Sequence, residues 1–211
     1  MIAEKNPDLL KLDFGKKIAQ LVYDGKYGDA YTLWGEGMTV RKDPLKGQDA
    51  LIRTIWERLT AAAEKFNEPG KFTALIGYEW TSSPDGNNLH RNVIFRDGKA
   101  KADQIIPFSN YDSTDPEDLW AWMKAYEKKT GGRVLAIPHN GNLSNGLMFG
   151  DVTFSGKKLD KDYAEKRMQW EPVYEVTQMK GDGEAHPALS PNDEFADYGT
   201  WDKGSFGAEP K

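Results

Sequence analysis

Two short stretches carry the residue types most able to do chemistry. One is Gly77-Tyr78-Glu79-Trp80 with His90-Arg91-Asn92 just behind it; the other is Ile137-Pro138-His139-Asn140-Gly141. Each follows an apolar run, residues 72–76 and 134–137, and breaks into groups that bind metals or anions. In α/β folds the active site forms beyond the carboxyl ends of the strands, so an apolar run ending in Glu or His marks a place to test. Glu79 leaves its run straight into a polar loop, where a carboxylate bridges metal ions, acts as a base or caps the next element. His90 and Arg91 join a metal-type to a phosphate-type ligand, and the plain alternative is a strand with one polar face. His139 is the best single candidate, against a purely structural histidine: Pro138 stiffens the strand exit and Asn140-Gly141-Asn142 permits a tight backbone.

His186 stands in Lys180-Gly181-Asp182-Gly183-Glu184-Ala185-His186. There Lys180 suits an anionic substrate, and Glu184 or His186 suits the orientation of a ligand bound by others; a solvated loop is the plainer reading. Arg91, Lys180 and the Asn140 loop together make a candidate anion or small-molecule site. No P-loop, dinucleotide glycine fingerprint, GxSxG elbow or HExxH is present.

The elements that must position these groups can be read from periodicity. Asn6-Pro7-Asp8 predicts a helix start, with Leu10, Phe14, Ile18, Leu21 and Val22 as its stripe up to Gly25. A short helix is predicted over 29–38. A longer one over 48–66 carries Leu51, Ile52, Ile55, Trp56, Leu59, Ala63 and Phe66. Residues 72–81 and 90–95 read as strands joined through Asp85-Gly86, a strong hairpin signal. Counting by two about that turn sets Glu79, Thr81, His90 and Asn92 on one face. A helix opening at Asp115-Pro116, a strand over 133–137, a helix over 159–170 and a strand over 172–178 follow. The alternation argues for α/β, with too few strands for a closed barrel.

The 211 residues suffice for one domain with a core. The expected organisation is mainly helical over 1–69, an α/β core over 70–180 and an irregular tail over 181–211. Aromatics at 12% argue against disorder. A net charge of −5 without a basic cluster speaks against nucleic acid or anionic membrane as the main partner. Zero cysteines exclude disulfides and thiolate zinc sites, so any metal falls to His, Asp or Glu. No apolar run approaches a membrane span of about 20 residues. As given, the chain reads as cytoplasmic, although a removed leader would leave no trace.

TALIGYEWTS, NNLHRNVIFRD, DPEDLWAWM, RVLAIPHNGNLSNG, EVTQMKGDGEAHPALSPNDEFADY and TWDKG together resemble a large bacterial family of the "domain of unknown function 3604" type. That family is similar to the PHP (polymerase and histidinol phosphatase) superfamily of metal-dependent hydrolases. The resemblance spans most of residues 70–203. It implies a distorted β/α barrel with two or three divalent ions, zinc, manganese or iron, at the strand ends. It implies metal-ligand roles for Glu79 (a bridging carboxylate), His139 and, less securely aligned, His90. It also implies a small anionic substrate such as a phosphoester. An HxH motif, an Asp-His pair and a DxH motif belong to the pattern and do not occur here. The expectation is therefore a partial, incomplete β/α barrel from the middle of a longer hydrolase, with little activity alone. Its cut edges predict a homo-oligomer. A non-catalytic binding module and an oligomerising structural piece are the other readings.

Overall fold

The Asp85-Gly86 pair turns the chain back on itself with both residues at positive φ (51° and 80°), the conformation that this dipeptide accepts most readily. Around it, β1 (Ile76–Trp80) pairs antiparallel with β2 (Arg91–Phe95), Glu79 lying opposite Asn92 and Trp80 opposite Arg91. A further bond, from Leu89 N–H to the Ser82 carbonyl, carries the same register past the strand ends. The computed structural model describes residue 2 and residues 5–39, 42–183 and 185–200, with side chains left aside at 37–39.

The chain divides into two compact units, 1–58 and 59–211, the division falling inside a helix. In the first, α1 (Pro7–Lys11) is capped by Asn6, whose side chain accepts from the Asp8 and Leu9 amides. The single helix expected here is broken at Leu12 (ψ 139°), and α2 (Asp13–Tyr23) follows. The break lets Gly15 lie against the Leu9 carbonyl, where a Cβ would not fit. α3 (Tyr27–Thr39) and α4 (Asp49–Phe66) follow, the latter continuing into the second unit.

In the second unit β3 (Val134–Pro138) pairs antiparallel with β2, giving the sheet order β1-β2-β3. After β2 come the one-turn α5 (Lys99–Ala102) and α6 (Pro116–Thr130). The latter is capped by Asp115 and stopped by Gly131 at φ 63°. α7 (Lys161–Trp170) and the two-residue strands β4 (Thr177–Gln178) and β5 (Gly181–Asp182) complete the elements. One sheet face is buried: Trp80, Val93, Phe95, Val134 and Ala136 join Leu119, Met123 and Tyr126 of α6 in the core. Phe95 meets Tyr126 and Trp122 edge-on. The other face, with Glu79 and Asn92 exposed and Ile94 and Ile137 half-buried, stays more open.

The architecture is mixed helix and sheet, with small antiparallel sheets and, among the described residues, no closed barrel. β1 and β2 are antiparallel because the expected hairpin joins them and needs no helical crossover; β3 is antiparallel to β2 as well. The strand expected over 172–178 shrinks to Thr177–Gln178. Upstream of it a single bond, Glu175 N–H to the Pro138 carbonyl, ties the segment to β3. Pro172 has no N–H to give, and Tyr174 and Glu175 spend their side chains on a neighbouring loop. The strand expected from 72 begins only at Ile76, because Glu68 and Phe72 close a turn through Pro69-Gly70. Among the described residues no helix is long and apolar enough to cross a membrane.

Candidate metal centre

The antiparallel order brings the C-terminal ends of β1 and β3 to the same sheet edge as the N-terminal end of β2. Glu79, His90 and His139 are thereby gathered there from three separate elements. Glu79 Oε1 lies 2.9 Å from His139 Nε2 and 3.2 Å from His90 Nδ1. The imidazole rings stand 5.8 Å apart at 75°. Both histidines are buried, whereas the Glu79 side chain keeps 42% of its surface accessible. The hydrogen bond to His139, then that to His90, hold the Glu79 carboxyl well below the ordinary carboxylate range, against the desolvation that would raise it.

Each of the three is held from behind. Thr81 Oγ1 donates to Glu79 Oε2 at 2.9 Å, leaving Oε1 for the centre. Ser83 Oγ lies 2.7 Å from His90 Nε2, and the Ile137 carbonyl lies 3.5 Å from His139 Nδ1. The outward nitrogen of each ring thus has an oxygen facing it and the inward nitrogen has the carboxylate. Outer partners of that kind fix the ring and tautomer of metal-binding histidines. The three inward atoms lie within 4.8 Å of one another. Two donors on one ion at bond lengths near 2.1 Å stand about 3–3.5 Å apart, close to the two Glu79–histidine spacings of 2.9 and 3.2 Å. Two imidazoles and a carboxylate with an exposed side form a donor set suited to a divalent ion, with room for an exchangeable ligand.

The loop after His139 is tied by backbone amides to the segment after α7. Asn140 N–H donates to Glu175 Oε2 at 3.0 Å and Gly141 N–H to the Tyr174 hydroxyl at 2.9 Å. Asn142 Nδ2 donates to the Lys180 carbonyl. Burial raises the Tyr174 pKa, so its oxygen stays a hydroxyl that can accept. Asn140 is in the left-handed region (φ 52°) and buried, and neither polar atom of its side chain meets a protein partner among the described residues.

The remaining expected residues are placed differently. Arg91 does not join the centre: alternation turns it to the α6 face, where it is 2% exposed. There its Nε donates to Glu171 Oε1 at 3.0 Å and its NH1 group to the Leu89 carbonyl, so the anion-binding role expected of it is corrected. Glu171 also accepts from Trp120 Nε1 (2.8 Å) and Arg167 Nε (3.1 Å), a buried network that pattern reading missed. Lys180 is half-buried beside the Asn142 loop. His186 accepts from the Ala188 amide within its own turn and is not part of the three-residue group. Glu184 and the Trp201-Asp202-Lys203-Gly204 stretch lie outside the described residues.

Ser83 and Glu175 were also missed. Ser83 is the next step of the alternation that groups Glu79 with Thr81. It falls in a stretch readable from sequence only as a turn.

Comparison with known proteins adds one finding. The sequence profile described as "Protein of unknown function (DUF3604)" matches residues 4–210. No curated protein and no solved structure matches the chain.

Proposed function

Since the chain belongs to the DUF3604 family, a description that carries no activity, we propose its function from the site: a metal-dependent hydrolase centre of PHP type, acting on a small anionic ester. The observation that supports this most is the convergence of Glu79 Oε1, His90 Nδ1 and His139 Nε2. In the tautomers with an N–H on each outward ring nitrogen, the inward atoms are three lone pairs facing one another, a set that a cation among them would bind. A divalent ion held there supplies Lewis acidity and an activated water.

The protein's own part is to present that set. β1 and β3 deliver Glu79 and His139 in parallel from one edge, and β2 brings His90 between them. Thr81 steers the Glu79 carboxylate. The phosphoester class of substrate comes from the family resemblance, and Lys180 and Asn140 are the groups proposed to meet its anionic part. A partial β/α barrel is the architecture proposed for the whole, with the β3–α7 unit leading into the segment beside β3 as its repeating piece.

Three donors serve one ion. Zn²⁺ or Mn²⁺ titrated calorimetrically is expected to bind at about one ion per chain. Binding should be lost in His139→Ala and strongly weakened in Glu79→Gln. Hydrolysis of an aryl phosphate should be slow, because a two-ion clamp needs ligands beyond these three. Titration showing no heat with any of Zn²⁺, Mn²⁺ or Fe²⁺ would remove the metal reading. A binding module without turnover is the second reading, favoured by the buried side-chain amide of Asn140, which meets no protein partner among the described residues.

A further inference from the structure

Ser83 sits at the N-cap position of the one-turn helix Pro84–Gly86, where a serine hydroxyl ordinarily bonds the turn's own amides. Here it makes no such capping bond. Its Oγ lies instead 2.7 Å from His90 Nε2, on the side of the ring away from Glu79. The flanking backbone is fixed on both sides. Ser82 is buried, its hydroxyl donating to the Thr114 carbonyl at 2.9 Å, and its own carbonyl takes the Leu89 amide. On the far side Gly86 N–H returns to the Ser83 carbonyl, and Asn88 Oδ1 accepts the His90 amide. Both the serine and the imidazole are thus anchored through their main chains before the side chains meet.

We propose that Ser83 is a positioning residue for His90, holding the ring so that Nδ1 points as a lone pair into the centre formed with Glu79 and His139. This rests on the metal reading above. A hydroxyl suits the task because it can both accept and donate. With an ion bound, Nε2–H donates to Oγ; without one, the Oγ hydrogen turns to Nε2 while Nδ1–H faces Glu79. The ring keeps its orientation in both states. The alternation places Glu79, Thr81 and Ser83 successively on one face, opposite His90 and Asn92. One strand and its continuation therefore supply a ligand, the group that steers that ligand and the group that steers the next one.

The experiment compares Zn²⁺ affinity in the wild type, Ser83→Ala, Ser83→Thr and His139→Ala, with the melting temperature of each metal-free protein recorded alongside. Loss of an outer hydrogen bond to a metal-binding histidine weakens affinity about 10- to 100-fold. Ser83→Ala should show that loss with an unchanged melting temperature, and Ser83→Thr, which keeps the hydroxyl, should bind close to wild type. If Ser83→Ala binds as tightly as wild type while His139→Ala does not bind, Ser83 positions nothing and the metal centre stands. If Ser83→Thr is as weak as Ser83→Ala, the hydroxyl is not the cause and the proposal falls. If the wild type binds no Zn²⁺, or His139→Ala binds equally well, the metal reading fails and this role fails with it.

Discussion

Glu79 is the residue on which the site turns, since two histidines share one of its oxygens. Its carboxyl is depressed chiefly by His139 and then by His90. A group with a lowered folded pKa stabilises the native state above its unfolded value, near 4.3, and that contribution disappears as pH falls through the folded value. The metal-free wild type should therefore lose more stability than Glu79→Gln on acidification below about pH 5. Urea midpoints of the two proteins across that range check this; parallel curves would show that Glu79 gains nothing from its neighbours. The metal-ligand types were legible in the sequence because two of only three histidines sit in the two polar stretches that follow apolar runs. Arg91 shows the opposite case. Its neighbours in sequence look like a binding motif, yet one step along a strand reverses the face, and the partner that claims it, Glu171, is 80 residues away.

At the scale of elements, the Arg91–Glu171 pair fastens the start of β2 to the end of α7, with Trp120 of α6 and Arg167 sharing the same carboxylate. Both charges are almost wholly buried, so removing one strands the other. Glu171→Ala is expected to cost about 3–5 kcal/mol in denaturant unfolding, the range for a buried pair broken on one side. A cost below about 1 kcal/mol would mean that Arg91 finds another acceptor or water. The longer helices, the hairpin and its register were readable from caps, turns and period two, but not the break at Leu12 or the one-turn α5. The expected turn centre, Asp85-Gly86, is the one about which the observed pairs are symmetrical. What could not be read is how Tyr174 and Glu175, in the strand expected over 172–178, would spend their hydrogen bonds. Their polar groups go to a loop more than 30 residues earlier in the chain, and no local pattern encodes that.

On the scale of the whole molecule, β1 is an outer strand of its three-stranded sheet, pairing with β2 alone among the described strands. Beside it the open sheet face carries Ile94 and Ile137, both half-buried. Exposed edges and apolar surface of this kind recruit another copy. Light scattering at micromolar concentration is expected to give a mass above that of one 23.8 kDa chain; a stable monomer would show that the edge is covered in another way. The division into two units at residues 58 and 59 was not readable, because it falls within the uninterrupted stripe of α4.

The strap formed by residues 171–178 has a consequence for dynamics. It grips β2 through Glu171, the end of β3 through the Glu175 amide, and the loop after His139 through Tyr174 and Glu175. Neither histidine-bearing element can then drift without loosening the strap, and loosening it frees both. Local opening around the centre should therefore be a single cooperative event, not two independent fluctuations. In hydrogen exchange, the amides of Asn140, Gly141 and Glu175 would share one opening free energy. An ion bound to both histidines would slow all three together, reporting occupancy from positions that touch no metal.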